Sequence, residues 1–365
     1  MKNIKLVTYH NALSYGACLQ AYATVKVLEK TGGRVEVIDF ENLYEARQKE
    51  AGFLKYGSAK EIIATLVKRI FFKNEKCKKR AFGEFKKRYI LTPKKYHTVA
   101  EMKDLSADVF VVGSDQVWNP EISGALEPAF FLDFGTANKR ISLSSSMGSY
   151  CFNREEQAYV KTKLEAFTAI SVRENHAKQQ VADAGIDKDV RVTLDPTLLI
   201  DANAWREFYQ KKQSYAESDK KYILAFVIGY HKQEEVAEIF KYYSDKLGLP
   251  VWRIMLNTLK TKNVNKVIAG ATPEEFVELI DHAAFVITDS FHGTAFSINM
   301  QTPFALLTNT NPARMVELLN KCNMSDRMIK EGYYPPVDGC DFKDAQQYLL
   351  SKRNEDIVWV KEQLQ

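Results

Sequence analysis

Short apolar runs alternate with amphipathic stretches along the chain, and this alternation predicts an α/β protein. Residues 5–9 (KLVTY) read as a first strand. Residues 17–30 carry apolar side chains at helical spacing (Leu19, Tyr22, Ala23, Val25, Val27, Leu28) until Gly32-Gly33 stops the helix. Residues 34–40 (RVEVIDF) read as a second strand, so about forty residues hold one strand–helix–strand unit. Further strands are predicted at 109–112, 130–134, 140–144, 169–172 and 190–194, with helices over 154–167 and from just after Glu174 through Ala184. Asp195-Pro196-Thr197 reads as a turn, and the polar stretch 201–221 as a domain boundary. The pattern then repeats. Strands are expected at 222–228, 251–256, 285–288 and 304–307, and helices at 234–247, 273–282, 314–320 and near 344–352.

Strands that alternate with helices, and that are apolar almost throughout, imply parallel sheets covered on both faces. The predicted architecture is two Rossmann-like, doubly wound domains facing each other across a cleft. Residues 1–200 form the first domain, with a basic helical insertion around 41–100 that holds helices at 59–72 and 76–89. Residues 221–310 form the second, and 311–365 a helical tail. No GxGxxG follows the first strand, which weakens a dinucleotide-binding reading.

Composition narrows the function classes. Of 365 residues, 45% are hydrophobic and 27% charged, as in ordinary globular proteins, and no apolar run has the length of a membrane span. The opening MKNIKLVTYHN reads as a strand rather than an export signal, so a cytoplasmic chain is expected. Cys18, Cys77, Cys151, Cys322 and Cys340 are scattered, with no CxxC and no HExxH, so neither a disulfide framework nor a metal site is expected. The net charge of +5 is uneven: residues 68–95 hold twelve Lys or Arg against Glu75 and Glu84, with Phe and Tyr interleaved. Such a stretch would meet an anionic lipid surface at the inner face of a membrane; the alternative is the solvated face of surface helices. No nucleic-acid partner is expected.

Three turns at predicted strand ends carry most of the chemistry. His10-Asn11 with Tyr15 follow the first strand, and Ser114-Asp115-Gln116 with Trp118 follow a central strand. Asp289-Ser290-Phe291-His292-Gly293-Thr294 follow residues 285–288, where a helix begins. Parallel α/β sheets bind ligands at the carboxyl ends of their strands, and helix N-termini favour anions. For Asp115 the alternative is a helix cap, for His10 a loop-orienting role, and for Trp118 a place in the core.

Taken together, YHNALSYGACLQAYA, DVFVVGSDQVWNP, FLDF, SSSMG, ISVRE, LDPT and VITDSFHGTAFSINMQTPF resemble the polysaccharide pyruvyl transferase family, with departures at Ser14 and Ser144-Ser145. The resemblance implies a GT-B-like fold. It also implies transfer of pyruvate from phosphoenolpyruvate to two hydroxyls of one sugar, giving a cyclic ketal and phosphate, with no cofactor. The acceptor would be an exopolysaccharide, cell-wall or lipid-linked glycan. Phosphoenolpyruvate needs donors for a carboxylate and a phosphate, for which Arg173 and the turn Ser290, His292, Gly293 and Thr294 are candidates; for Arg173 the alternative is a salt bridge to Glu174 or a neighbour. His292 is expected to be the general acid, with Asp289 orienting its ring, and Asp115 the base that activates a hydroxyl. His10, Asn11, Tyr15, Ser114, Gln116 and Trp118 are expected around the substrates. The alternatives are a nucleotide-sugar glycosyltransferase on the same architecture and a non-catalytic sugar-binding paralogue.

Overall fold

The computed structural model describes residues 1–44, 78–90, 94–210, 214–215, 218–229, 231–255, 262–308 and 313–365. The chain forms two compact units and crosses between them more than once: Met1–Tyr56, Lys86–Leu199 and Lys352–Gln365 make unit 1, and Gly57–Phe85 with Ile200–Ser351 make unit 2. The helix expected over 59–72 lies outside the described residues.

Unit 1 runs β1 (Lys2–Val7), α1 (Tyr15–Lys30), β2 (Gly33–Val37), β3 (Asp39–Phe40), β4 (Lys95–Tyr96), β5 (Ser106–Val112), α2 (Pro120–Ser123), β6 (Thr136–Ser145), α3 (Arg154–Leu164), β7 (Ala169–Val172), α4 (Asn175–Asp183), β8 (Val190–Val192) and α5 (Pro196–Leu199). Its six-stranded sheet has the order β2-β1-β5-β6-β7-β8. Every neighbouring pair is parallel, with Ile4 opposite both Val35 and Val109. Burial on both faces explains the unbroken apolar runs, and Val109–Val112 are at most 1% exposed. From β1 the chain goes to β2 on one side and to β5 on the other. The carboxyl ends of β1 and β5 therefore flank the topological switch point, the usual ligand crevice of such sheets.

Two expectations change in unit 1. The run 34–40 is not one strand: β2 stays in the main sheet, while β3 leaves it and pairs with β4, which carries Asp39 toward the end of β1. Residues 130–134 are not a strand either. Pro128–Phe131 form a single 3-10 turn that ends at Leu132 in the left-handed region (φ 54°), and Phe130 and Phe131 are core side chains. An apolar run of this length satisfies burial equally well as a turn or a strand, and Pro128, which has no backbone donor, favours the turn.

Unit 2 runs α6 (Ala202–Tyr209), β9 (Ile223–Phe226), α7 (Gln233–Leu247), β10 (Val251–Ile254), β11 (Lys266–Ile268), α8 (Pro273–Asp281), β12 (Phe285–Thr288), α9 (Phe291–Met300), β13 (Phe304–Leu306) and α10 (Ala313–Lys321). Its five-stranded parallel sheet has the order β11-β10-β9-β12-β13, so the switch point lies between β9 and β12. A Thr272–Glu275 capping box with Pro273 in the first turn starts α8. The polar stretch after 201 contains α6, whose Trp205 packs edge-on against Phe296 of α9 at 5.0 Å.

The closing helix is longer than its sequence pattern predicts. α11 (Lys343–Leu364) passes from unit 2 into unit 1. In unit 1 the fully buried Asp356 accepts from Arg191 Nε (3.2 Å) and Leu194 N (2.8 Å), tying the helix to the end of β8. In the described part of the basic stretch, residues 78–89 are helical, and Phe82 (0% exposed) and Phe85 (2%) are core side chains rather than surface ones. Among the described residues, no helix is long and apolar enough to cross a membrane.

Candidate active-site edges of the two sheets

At the switch point of unit 1, the loop after β1 is tied to the loop after β5, because Thr8 Oγ1 donates to Ser114 O at 2.9 Å. His10 is buried, with Nδ1 2.9 Å from Thr8 O and Nε2 3.1 Å from Asp39 Oδ1. Both partners are acceptors, and a neutral imidazole can donate to only one of them. Asn11 donates to the same Asp39 oxygen (2.7 Å) and accepts from Lys86 Nζ (3.0 Å), which brings one residue of the basic stretch to this edge. Burial by itself would raise the Asp39 carboxyl, but the hydrogen bonds from His10 and Asn11, with the charges of His10 and Lys95, outweigh it and hold the pKa at about 2. Tyr15 is buried at the start of α1, which Ser14 caps through Ala17 N.

After β5 the backbone takes an uncommon path. Asp115 lies in the left-handed region at φ 73°, and Ser144, on the neighbouring strand, does so at φ 55°. The two deviations meet: Asp115 bridges to Ser145, its carbonyl accepts from Ser146 N (3.0 Å) and Val117 N (2.8 Å), and β6 shifts register between Ser142 and Ser145. Strained non-glycine backbone concentrates at functional sites. Asp115 is half-buried, and its Oδ1 accepts only from the adjacent Gln116 N (2.9 Å) among described partners. It does not cap α2; Asn119 does, by accepting from Glu121 N, while its Nδ2 donates to Gln116 Oε1 (3.0 Å). Trp118 belongs to the core, 1% exposed, with Nε1 donating to Phe130 O (3.0 Å) and its ring nearly parallel to Phe131. Ser114 is also fully buried, and its Oγ donates to Asp195 Oδ2 (3.0 Å).

Arg173, at the end of β7, is the hub of this edge. Nε donates to Glu174 Oε2 (3.2 Å), Nη1 to Asp195 Oδ2 (3.1 Å) and Nη2 to Ser146 Oγ (3.2 Å). Burial would lower its pKa, but Glu174, Asp195 and Asp115 together raise it, so this is a permanent charge in a carboxylate cage. Ser146 Oγ in turn donates to Glu174 Oε1 (2.5 Å), and Asp195 Oδ1 accepts from Thr197 N and Oγ1. The pair with Glu174 is the alternative that the sequence offers for Arg173, and it is present; Asp195, in the LDPT segment, reads from the sequence only as part of a turn, although it sits at a strand end.

Unit 2 presents the third turn at its own switch point. Ser290 is the N-cap of α9, and its carbonyl accepts from Thr294 Oγ1 (3.0 Å). Gly293 follows with no room for a side chain: a Cβ there would stand 2.3 Å from Thr288 Oγ1. Thr294 is fully buried. His292 is half-buried in the first turn of α9, edge-on to Phe291, and Arg314 of α10 lies 6.0 Å over the same Phe291 ring. The ring that Asp289 orients is that of His231, not His292. Asp289 Oδ1 accepts from Ile228 N (2.8 Å), and Oδ2 from Gly229 N (2.6 Å) and faces His231 Nε2 at 2.9 Å. Sequence reasoning missed His231, although the strand-end segment GYH has the same form as the other turns. Arg314 left no comparable signal.

Each unit thus carries a polar strand-end cluster at its switch point, with a carboxylate on strained backbone in unit 1 and a histidine at a helix start in unit 2. Among the described residues, no three His, Cys, Asp or Glu side chains are grouped to hold a metal.

The putative UDP-N-acetylglucosamine 2-epimerase of Listeria monocytogenes is similar in structure, with a TM-score of 0.52 at 11% identity over 98% of this chain and 90% of that one. The UDP-N-acetylglucosamine 2-epimerase of Rickettsia bellii has a TM-score of 0.48 at 11% identity, covering 98% of this chain and 95% of its own. The E. coli heptosyltransferase WaaC has a TM-score of 0.41 at 10% identity, covering 96% and 99%. The first likeness is one of fold, and it agrees with the two parallel, Rossmann-like α/β sheets of a GT-B-like chain. Comparison with curated proteins returned no match. The family model described as polysaccharide pyruvyl transferase matches residues 15–311, which include the Asp115, Arg173 and His292 segments. That span is most of the chain, and the chain belongs to the polysaccharide pyruvyl transferase family, a family of transferases.

Proposed function

We propose that the protein transfers the pyruvyl group of phosphoenolpyruvate to two hydroxyls of one sugar in a polysaccharide or cell-surface glycan precursor. The observation that carries this reading is the family match over 15–311, which takes in the Asp115, Arg173 and His292 segments of the two units. In the reaction the methylene carbon of the enol gains a proton and becomes a methyl group. One sugar hydroxyl attacks the oxocarbenium-like carbon and gives its proton to a base. The second hydroxyl displaces the phosphate, and its proton leaves with the phosphate group. The products are a cyclic ketal and phosphate.

In this reading His292 delivers the proton to carbon and Asp115 takes the first hydroxyl's proton. Asp115 suits a base, with one carboxylate oxygen engaged only by its neighbour's N–H. The N-terminus of α9 favours the donor's anionic groups in this reading; Ser290 N and Gly293 N donate to Thr288 Oγ1 (3.1 Å) and Ser290 Oγ (3.5 Å), and would exchange these partners to bind them directly. Asn11 and Gln116 lie at the edge where a sugar would be met. His10, Tyr15, Ser114, Trp118 and Thr294 are buried, and in this reading they hold the site's shape. Arg173 supplies positive field and orients Ser146, Glu174 and Asp195; direct contact with the donor requires it to exchange Ser146 for the ligand.

Phosphate release from phosphoenolpyruvate across a panel of free and lipid-linked glycans tests the reaction. His292→Asn and Asp115→Asn test the roles, and each is expected to retain phosphoenolpyruvate affinity while turnover falls about 100-fold or more. A His292→Asn enzyme that loses affinity but keeps turnover makes His292 a binding residue only. The absence of phosphate release with every glycan removes the proposed reaction.

A further inference from the structure

Arg253 is a charged side chain inside an apolar strand. It lies in β10, opposite Ala225 of β9 and Val267 of β11, and is 6% exposed. Its Cζ stands 5.6 Å from the centroid of the Phe240 ring, so the side chain lies on the α7 face of the sheet. Among the described residues, neither Nε nor Nη1 meets a hydrogen-bond acceptor. The other deeply buried arginines are engaged: Arg173 holds two carboxylates, Arg327 holds Asp326 and Pro336 O, and Arg353 holds Leu198 O. Asp289 acts on Arg253 only through its charge, because its oxygens serve Ile228 N, Gly229 N and His231. A buried guanidinium with idle N–H groups is costly unless something accepts from it.

We propose that Arg253 is the anion-receiving group of a ligand subsite on the α7 face of unit 2, taking a phosphate or carboxylate oxyanion of a small ligand. The guanidinium matches the geometry of such groups and is less strongly hydrated than an ammonium, so it can serve inside the fold. The subsite is separate from the His292 turn. α9 packs with α8 on the other face of the sheet, the face on which Phe226 of β9 meets Phe276 of α8 at 4.8 Å. The inference does not depend on pyruvyl transfer.

Calorimetric titration of the full chain with inorganic phosphate, pyruvate and phosphoenolpyruvate tests it, with thermal unfolding as a second readout. Phosphate and pyruvate separate the two oxyanion sources. Saturable binding of at least one of these two is expected, retained in His292→Asn and weakened at least about tenfold in Arg253→Met. Arg253→Met replaces an unpaired buried charge with an apolar chain of similar length, so it is expected to fold with at least native stability. Arg253→Lys keeps the charge without the fork and should bind with intermediate affinity. Wild-type affinity in Arg253→Met overturns the subsite. So does the absence of saturable binding of both simple anions by the wild type, which would leave Arg253 served by water alone. Loss of binding in His292→Asn with retention in Arg253→Met assigns the anion to the α9 turn and likewise overturns it.

Discussion

Replacing Asp289 with Asn should loosen the switch point of unit 2. The carboxylate is 2% exposed and has three donors around it: Ile228 N at 2.8 Å, Gly229 N at 2.6 Å and His231 Nε2 at 2.9 Å. An amide has one oxygen. If that oxygen takes the place of Oδ1 it keeps Ile228 N, and the NH2 group then faces Gly229 N and His231. In the flipped orientation the NH2 group faces Ile228 N instead. Either way at least one charge-assisted bond, worth about 1.5–3 kcal/mol, is lost, and a buried N–H is stranded at about 1–3 kcal/mol. The expected loss is about 3–5 kcal/mol once partial relaxation is allowed. With a urea slope of about 2–3 kcal/mol per molar, the midpoint should fall by about 1–2.5 M. Hydrogen exchange should locate the change, with the Ile228 and Gly229 amides losing protection while the centre of the unit 1 sheet keeps its own. Gly229 leaves little room for rescue, since a Cβ there would stand 2.6 Å from Asp289 Oδ2. An unchanged midpoint with both amides still protected would refute the view that Asp289 holds this loop.

Gly293→Ala should cost about 2–4 kcal/mol in chemical denaturation, because its Cβ displaces Thr288 Oγ1, which donates to Phe226 O (2.7 Å) and accepts from Ser290 N (3.1 Å); a native midpoint would show that the turn yields freely. Asp39, held at about 2 against the usual 3.8, should stabilise unit 1 above pH 4 and lose that contribution as the pH falls from about 4 to 2. The 1.8-unit difference at 1.36 kcal/mol per unit gives about 2.4 kcal/mol, reduced to about 1–2 because the side chain is 28% exposed. Asp39→Asn should therefore flatten the acid limb of the stability profile, and an identical limb would contradict this. Arg173→Lys keeps the charge but cannot serve Glu174, Asp195 and Ser146 together, so a loss of about 3–5 kcal/mol is expected; native stability together with native phosphoenolpyruvate affinity would rule out both its structural and its binding roles.

Much of the scaffold was legible because parallel α/β sheets write themselves plainly in sequence. Ala169–Val172 and Phe285–Thr288 are strands with the bounds their apolar runs suggest, and α7 and α8 deviate by one residue at an end. The strand-end turns were also legible, since Asp115 and His292 follow strands whose carboxyl ends flank the two switch points. Side-chain direction was not. Trp118 next to Asp115 reads equally well as a platform or as core, and only packing against Phe130 and Phe131 decides for core. Asp289 lies three residues from His292 in sequence, yet its carboxylate serves the loop after β9, because β9 lies beside β12 in the sheet while His292 has already entered α9.

The sequence by itself determined the fold class, the two sheets and the positions of the polar turns, because hydrophobic periodicity and turn chemistry are local properties of the chain. The tertiary structure alone decided which of those polar groups meet. Strand order set the switch points and brought Ser114 to Thr8, Asp195 to Arg173, and His231 to Asp289. It also sent the end of α11 back to unit 1, where Asp356 closes on Arg191 across 165 residues of sequence. Contacts between distant segments depend on burial and hydrogen-bond satisfaction summed over the whole fold, and no local window of sequence contains that sum.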